Sequence, residues 1–170
     1  MRFPYIKSQN ARILEINAKT GLYPLYAALS CFDEGQRRLA GPLPAAEQGR
    51  LWQQVLAKNI YVVAKTPMAA AIARRTLAGY HSWDTNIAYI NGLVAAARAD
   101  VRDAAAKIER EFGKMKFDVV IGNPPYQEAS HGEQDNYAAS IYYAFMDLSY
   151  QLSDLVTRRQ IGRASCRERV

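Results

Sequence analysis

The stretch Phe117-Asp118-Val119-Val120-Ile121-Gly122-Asn123-Pro124-Pro125-Tyr126 decides how this chain reads. Its first half is an apolar run that predicts a buried strand, and Gly122 marks the strand's end. Asn123 and the two prolines cannot continue as strand or helix. Each proline fixes its own φ, removes a backbone donor and pushes the residue before it into an extended conformation. The expected result is a stiff corner at the carboxyl end of a strand, the edge of an open α/β sheet where ligands bind. The corner offers the Asn123 side-chain oxygen, a backbone carbonyl and an aromatic face. Those groups suit a flat base that carries an exocyclic amine.

Working outward, strands and helices alternate. Ile13 to Asn17 reads as a short buried strand, Lys19-Thr20-Gly21 as a turn, and Leu22 to Phe32 as a helix with Pro24 in its first turn. Glu34 to Pro44 holds two glycines and two prolines and reads as a loop. Leu51, Trp52, Val55 and Leu56 share one helical face. Ile60 to Val63 is a second buried strand. Thr66 then fits an N-cap, Pro67 a first helical residue and Gly79 a stop. Asn86 to Ile90 predicts a third strand. Leu93, Ala97, Val101, Ala105, Ile108 and Phe112 recur at helical spacing, which predicts one helix closed by Gly113. After the Asn123 corner come a polar loop, Gln127 to Asn136, and a helix from Tyr137 to Asp154 carrying Ile141, Phe145, Leu148 and Leu152. Leu155-Val156-Thr157 opens a fifth strand. Such alternation implies right-handed βαβ units and a mostly parallel sheet with flanking helices.

With 170 residues and 49% hydrophobic content, the chain suits one globular domain and one core. No apolar run is long enough for a membrane span, and Met1 to Lys7 lacks the apolar segment of a secretory signal. The expected compartment is the cytoplasm. The net charge of +6 hints at a polyanionic partner. Residues 160–170, however, resemble the in-frame translation of a sequencing-library adapter. They carry three arginines and one glutamate, and without them the net charge is +4. The expected organisation is therefore a domain over residues 1–159 and a non-native tail over 160–170. Cys31 and Cys166 do not suggest a disulfide framework.

Three segments, in this order, resemble the motifs of adenine-N6 DNA methyltransferases of the restriction–modification type. Ile13 to Tyr23 is similar to the cofactor-binding turn after the first strand. Ile60 to Met68, followed by Ala73-Arg74-Arg75, is similar to the second strand and the helix after it. Phe117 to Tyr126 is similar to the catalytic segment with its Asn-Pro-Pro-Tyr (NPPY) motif. The resemblance implies a Rossmann-like fold that uses S-adenosylmethionine, needs no metal, and acts on double-stranded DNA without a membrane partner. It implies further strands beyond residue 159, so the sheet is expected to be incomplete and this chain alone inactive.

The resemblance also implies roles. Asn123 and the Pro124 carbonyl would accept the two hydrogens of the target amine, Pro125 would keep the corner rigid, and Tyr126 would stack on the flipped base. Glu15 would lie near the cofactor's ammonium, with Asn17 hydrogen bonding beside it. Thr20 and Gly21 would present a helix N-terminus to its carboxylate. Two positions depart from the family pattern. Lys19 stands where a second glycine is usual, and Ala64 stands where an acidic residue usually meets the ribose hydroxyls.

His131 reads as a solvated loop residue and His81, beside Trp83, as surface packing. Two histidines give no metal constellation. Arg74-Arg75 and Arg158-Arg159 read as solvated charges, and Tyr137, Tyr142, Tyr143 and Tyr150 as core and helix packing. The loop from Gln127 suits a lid. Rival readings are a methyltransferase for a protein glutamine amide or a ribosomal RNA guanine amine, and a non-catalytic nucleic-acid-binding module that kept the fold.

Overall fold

Five strands form one sheet in the order β3-β2-β1-β4-β5, with every neighbouring pair parallel. The computed structural model describes residues 10–39, 43–113, 116–123, 134–153 and 156–158. The strands are β1 (Ile13–Ala18), β2 (Ile60–Ala64), β3 (Asn86–Tyr89), β4 (Val119–Gly122) and β5 (Val156–Arg158). The helices are α1 (Leu22–Arg38), α2 (Ala45–Lys58), α3 (Pro67–Ala78), α4 (Leu93–Ala99), α5 (Val101–Phe112) and α6 (Gln134–Leu152). The chain steps outward from β1 to β3, then crosses back through α4 and α5 to place β4 on the other side of β1. The strand order therefore reverses between β1 and β4, which opens a crevice at their carboxyl ends.

Every residue of β1 and β2 is buried. That is what a parallel strand covered on both faces requires, and it explains the unbroken apolar run of β2 and the apolar residues around Glu15 and Asn17 in β1. Side-chain alternation divides the core into two. Ile13, Val62 and Ile121 face α1, α2 and α3, where they meet Ala27, Ala28, Leu56, Ala73 and Leu77. Leu14, Ile16, Tyr61, Val63 and Val120 face the other way, toward Leu93, Ile108, Ile141, Phe145, Leu148 and Leu152. Tyr61 meets the rings of Phe112 and Phe117 edge-on at 5.6 and 5.2 Å.

The strand starts are pinned by polar contacts. Asp118 accepts from the Arg12 backbone N–H at 2.7 Å and returns its own N–H to the Arg12 carbonyl at 2.9 Å. Asn59 donates from Nδ2 to the Ala11 carbonyl at 2.8 Å. Asn86 donates from Nδ2 to the carbonyls of Ala57 and Ile60, closing the α2–β2 turn.

The structure bears out the three upstream strands, β4 and the apolar face of α6. It also bears out α3, where the Thr66 hydroxyl accepts from the Ala69 N–H and Gly79 ends the helix at φ 61°. It corrects four expectations. First, α1 does not stop at Phe32 but runs through Glu34 and Gly35 to Arg38. Gly35 is not a breaker there. A Cβ on it would come within 3.0 Å of the Leu51 side chain, so the missing Cβ is what lets α1 and α2 close up. Glu34 further ties the last turn to Arg37 and Arg38 at 2.8 and 3.1 Å.

Second, the helix expected from Leu93 to Phe112 is two helices. Asp100 is extended (φ −154°), and its side chain accepts from the Arg102 N–H at 2.8 Å, capping α5 while ending α4. Third, Gln134 to Asn136 belong to α6 and not to the preceding loop. Fourth, Tyr143 and Tyr150 are exposed and do not pack in the core. Of the fifth strand, Val156 to Arg158 pair with β4, while Leu155 and the tail 160–170 lie outside the described residues.

Candidate active site at the carboxyl edge of the sheet

At its end β1 breaks register. Ile16 pairs with Val63 and Ala18 with Ala64, which leaves Asn17 bulged out between them at φ 72°. Asparagine is among the few residues that tolerate this left-handed conformation. Its side chain, freed from the ladder, donates from Nδ2 to the Asn123 carbonyl at 3.1 Å. The bond runs from β1 to the residue that follows β4, across the point where strand order reverses.

Gly122 makes that approach possible. It lies opposite Ile16, and a Cβ on it would come within 2.8 Å of the Ile16 carbonyl oxygen. The Asn123 side-chain oxygen is buried and has no hydrogen-bond partner among the described residues. An orphaned buried acceptor is costly. Here it stands at the carboxyl end of β4, where a ligand's N–H would relieve it. Pro124, Pro125 and Tyr126 lie outside the described residues.

Glu15 is 3% exposed and sits in register between Val62 and Ile121, on the face that packs against α1, α2 and α3. One of its carboxyl oxygens, Oε2, has no partner among the described residues. Burial disfavours the charged form and pushes its pKa up to about 8. The side chain is thus largely neutral near pH 7 and waits for a cationic donor to charge it.

The turn that follows is fixed by contact with α3. The Thr20 carbonyl accepts from the Thr76 hydroxyl at 2.7 Å, and Gly21 caps α1 at φ 79°. No side chain caps α1, and Pro24 in its first turn has no N–H. The free amides of that first turn therefore belong to Leu22 and Tyr23.

On the opposite face a cavity of about 300 Å³ lies over the ends of β2 and β3. Asn17, Lys65, Tyr89, Leu93, Arg98 and Phe145 contribute to its walls, and no carboxylate lines it among the described residues. Of the four residues expected to hold a cofactor, only Asn17 reaches this cavity. Glu15, Thr20 and Gly21 belong to the α1 side of the edge. The sequence reading missed the cavity walls because they come from five separate elements. Ala64, at the end of β2, is buried at 3% exposure and presents no polar group there.

The remaining candidates are locally engaged. Arg74 donates to the Ile87 carbonyl at 3.0 Å, and Arg75 lies 3.5 Å over the Tyr80 ring. His81 stacks on Trp83 at 4.1 Å. His131 lies outside the described residues. No group of three or more His, Cys, Asp and Glu suited to a metal occurs among the described residues. No helix among them is long and apolar enough to cross a membrane.

A family model, Eco57I restriction-modification methylase, matches residues 58–157. The chain belongs to the Eco57I restriction-modification methylase family. No match was found among curated proteins or among solved structures. The matched stretch runs from the end of α2 into β5 and includes the whole Asn123 corner. The five-stranded parallel sheet is the Rossmann-like arrangement expected of such a methylase. The strand carrying Glu15 and Asn17 precedes the matched stretch, so in this methylase those two residues are placed by geometry alone.

Proposed function

We propose that this methylase transfers a methyl group to the exocyclic N6 amine of an adenine flipped out of double-stranded DNA. The observation that carries the reading is the buried Asn123 side-chain oxygen, without a partner among the described residues, at the carboxyl end of β4 beside the β1–β4 crevice. An acceptor in that state favours a ligand that brings an N–H. The lone pair of an aromatic amine is delocalised into its ring, so the amine is a poor nucleophile. Accepting one N–H at Asn123, and the other at the Pro124 carbonyl, draws the nitrogen toward tetrahedral geometry, which takes its lone pair out of conjugation with the ring and aims it. Tyr126 is assigned the stacking of the flipped base.

S-adenosylmethionine, when bound, supplies an electrophilic methyl on a sulfonium. Two features of this chain fit that cofactor. Glu15 is a buried carboxyl lacking a cationic partner among the described residues, suited to the ammonium. The first turn of α1 presents free amides, suited to the carboxylate. The amine loses its proton only as it alkylates, so a strong base is not required. Positioning and the fixed dipoles of the corner carry the rate.

Incubation with DNA and methyl-labelled S-adenosylmethionine, for the chain alone and within its full reading frame, tests the proposal. Label in N6-methyladenine, lost in Asn123→Ala, is the expected result. Label confined to RNA or protein overturns it.

A second reading is a non-catalytic nucleic-acid-binding module. It is favoured by the cavity, where Lys65 and Arg98 replace any carboxylate and Ala64 offers no ribose ligand. Calorimetric titration with S-adenosylmethionine separates the two. A silent titration supports the module.

A further inference from the structure

The geometry points to Asn17 as a positioning residue that sets the Asn123–Pro124 peptide for methyl transfer, an inference that rests on the amine-methylation reading above. Asn17 combines two properties that no other residue type supplies as well. Its backbone occupies φ 72°, which most side chains resist, and its amide donates to the Asn123 carbonyl at 3.1 Å. Glycine would satisfy the backbone and leave the carbonyl without this donor. Aspartate would keep the size and set an acceptor against an acceptor.

The bonded carbonyl belongs to the peptide that leads into Pro124. A peptide unit is planar, so holding its oxygen restrains rotation about the Asn123 Cα–C bond. It also fixes the Asn123 Cα from which the orphaned side-chain oxygen projects. The donor comes from the register break of β1, 106 residues earlier. The turn expected to carry cofactor therefore also holds the corner that would carry the base. Asn17 itself need not touch either. Misplacement of a reacting group by about 1 Å costs on the order of 100-fold in rate.

Asn17→Gly and Asn17→Asp test the inference in the full chain. At saturating S-adenosylmethionine, Asn17→Gly is expected to lower kcat about 10- to 100-fold. Its kcat should fall by more than its cofactor affinity does, because the Asn17 amide is already engaged with Asn123. Asn17→Asp is expected to lose as much near pH 8. Relative to wild type it should recover toward pH 5, where the carboxyl introduced by Asn17→Asp takes up a proton and can donate again. A merely structural role would give no such recovery. An unchanged kcat, or a raised cofactor Kd with kcat intact, overturns the assignment.

A second measurement does not depend on activity. Asn123-Pro124 is the sole Asn-Pro pair in the chain. Carbonyl-13C asparagine with 15N proline therefore isolates the Asn123 carbonyl resonance. It should move upfield in Asn17→Gly, and a carbonyl that does not move overturns the link. If wild type transfers no methyl to DNA while the carbonyl shifts, the amine-methylation reading fails and the hydrogen bond stands.

Discussion

Gly21 and Ala73 meet where the turn after β1 closes on α3: a Cβ on Gly21 would lie 2.9 Å from the Ala73 Cα. The contact seats the first turn of α1 against its neighbour, and the left-handed backbone at φ 79° adds a second reason for glycine. Gly21→Ala should therefore cost roughly 1–2 kcal/mol for the backbone and roughly 1–3 kcal/mol for the overlap. Gly113 supplies the control, since it is left-handed too, at φ 62°, and an added methyl there would meet nothing within 4 Å. Urea midpoints should fall further for Gly21→Ala than for Gly113→Ala. Equal losses would assign the whole effect to φ.

Glu15 should make stability depend on pH. Its folded pKa of about 8 lies above the ordinary value of 4.5, because burial penalises the charged form. Below pH 4.5 both folded and unfolded chains hold the proton, and no penalty applies. Between about 4.5 and 8 the unfolded chain releases it while the folded chain retains it. Stability then falls by about 1.4 kcal/mol per pH unit from this group, and levels off above about 8. Denaturation of wild type and Glu15→Gln from about pH 5 to about pH 8.5 isolates the contribution. The variant should gain on wild type as pH rises, and parallel curves would show that Glu15 ionises freely.

Cofactor binding should release a proton on the same grounds. An ammonium placed against Glu15 favours its carboxylate, so below about pH 8 association ionises the side chain. Affinity for S-adenosylmethionine should therefore rise with pH to a maximum at about 8 and fall beyond it, as the cofactor's own α-ammonium gives up its proton. Calorimetry in buffers of different ionisation enthalpy should count close to one proton released at about pH 7, and none in Glu15→Gln. Equal counts in the two proteins would place the ammonium elsewhere.

Most of the fold was legible because its signals are local. A parallel sheet covered on both faces needs apolar strands, and Ile60 to Val63 and Val119 to Ile121 are unbroken runs, while Ile13 to Ile16 is interrupted only by Glu15. Thr66-Pro67 and Gly79 bracket α3 by cap chemistry alone. The misreadings share a cause, which is tertiary context acting on a residue whose local signal is ambiguous. Gly35 looks like a breaker until Leu51 is beside it. Asp100 sits inside a helical periodicity yet caps a new helix. Asn123 was legible as a candidate from its motif. The Asn17–Asn123 bond was not, since it depends on a one-residue register slip and a contact 106 positions away. The cavity at Lys65 and Phe145 was equally hidden, because its walls are brought together from β1, β2, β3, α4 and α6.

The cap of α3 gives a prediction independent of any activity. The Thr66 hydroxyl accepts from the Ala69 N–H at 3.1 Å and satisfies one of the helix's free amides. Thr66→Ala should lower stability by about 1 kcal/mol. Thr66→Asp should restore it, since a carboxylate caps as well and favours the helix N-terminus. Thermal melts of the three proteins decide the point, and an Asp variant no better than Ala would show that the hydroxyl serves another purpose.

Gly122 joins the stability of the sheet to the chemistry at its edge. A methyl there would stand 2.8 Å from the Ile16 carbonyl oxygen, closer than Cβ atoms approach oxygen, and both partners are backbone in neighbouring strands. Relief has to come from β4 moving off β1 by several tenths of an ångström. The Asn17–Asn123 bond, already 3.1 Å long, spans that same gap and would lengthen with it. Gly122→Ala should thus cost about 1–3 kcal/mol in stability and reproduce the Asn17→Gly phenotype, with lowered kcat and an upfield Asn123 carbonyl. The double variant should lose little more in kcat than either single one, because both act through one hydrogen bond. Additive losses would mean that Gly122 positions Asn123 by a route that does not pass through Asn17.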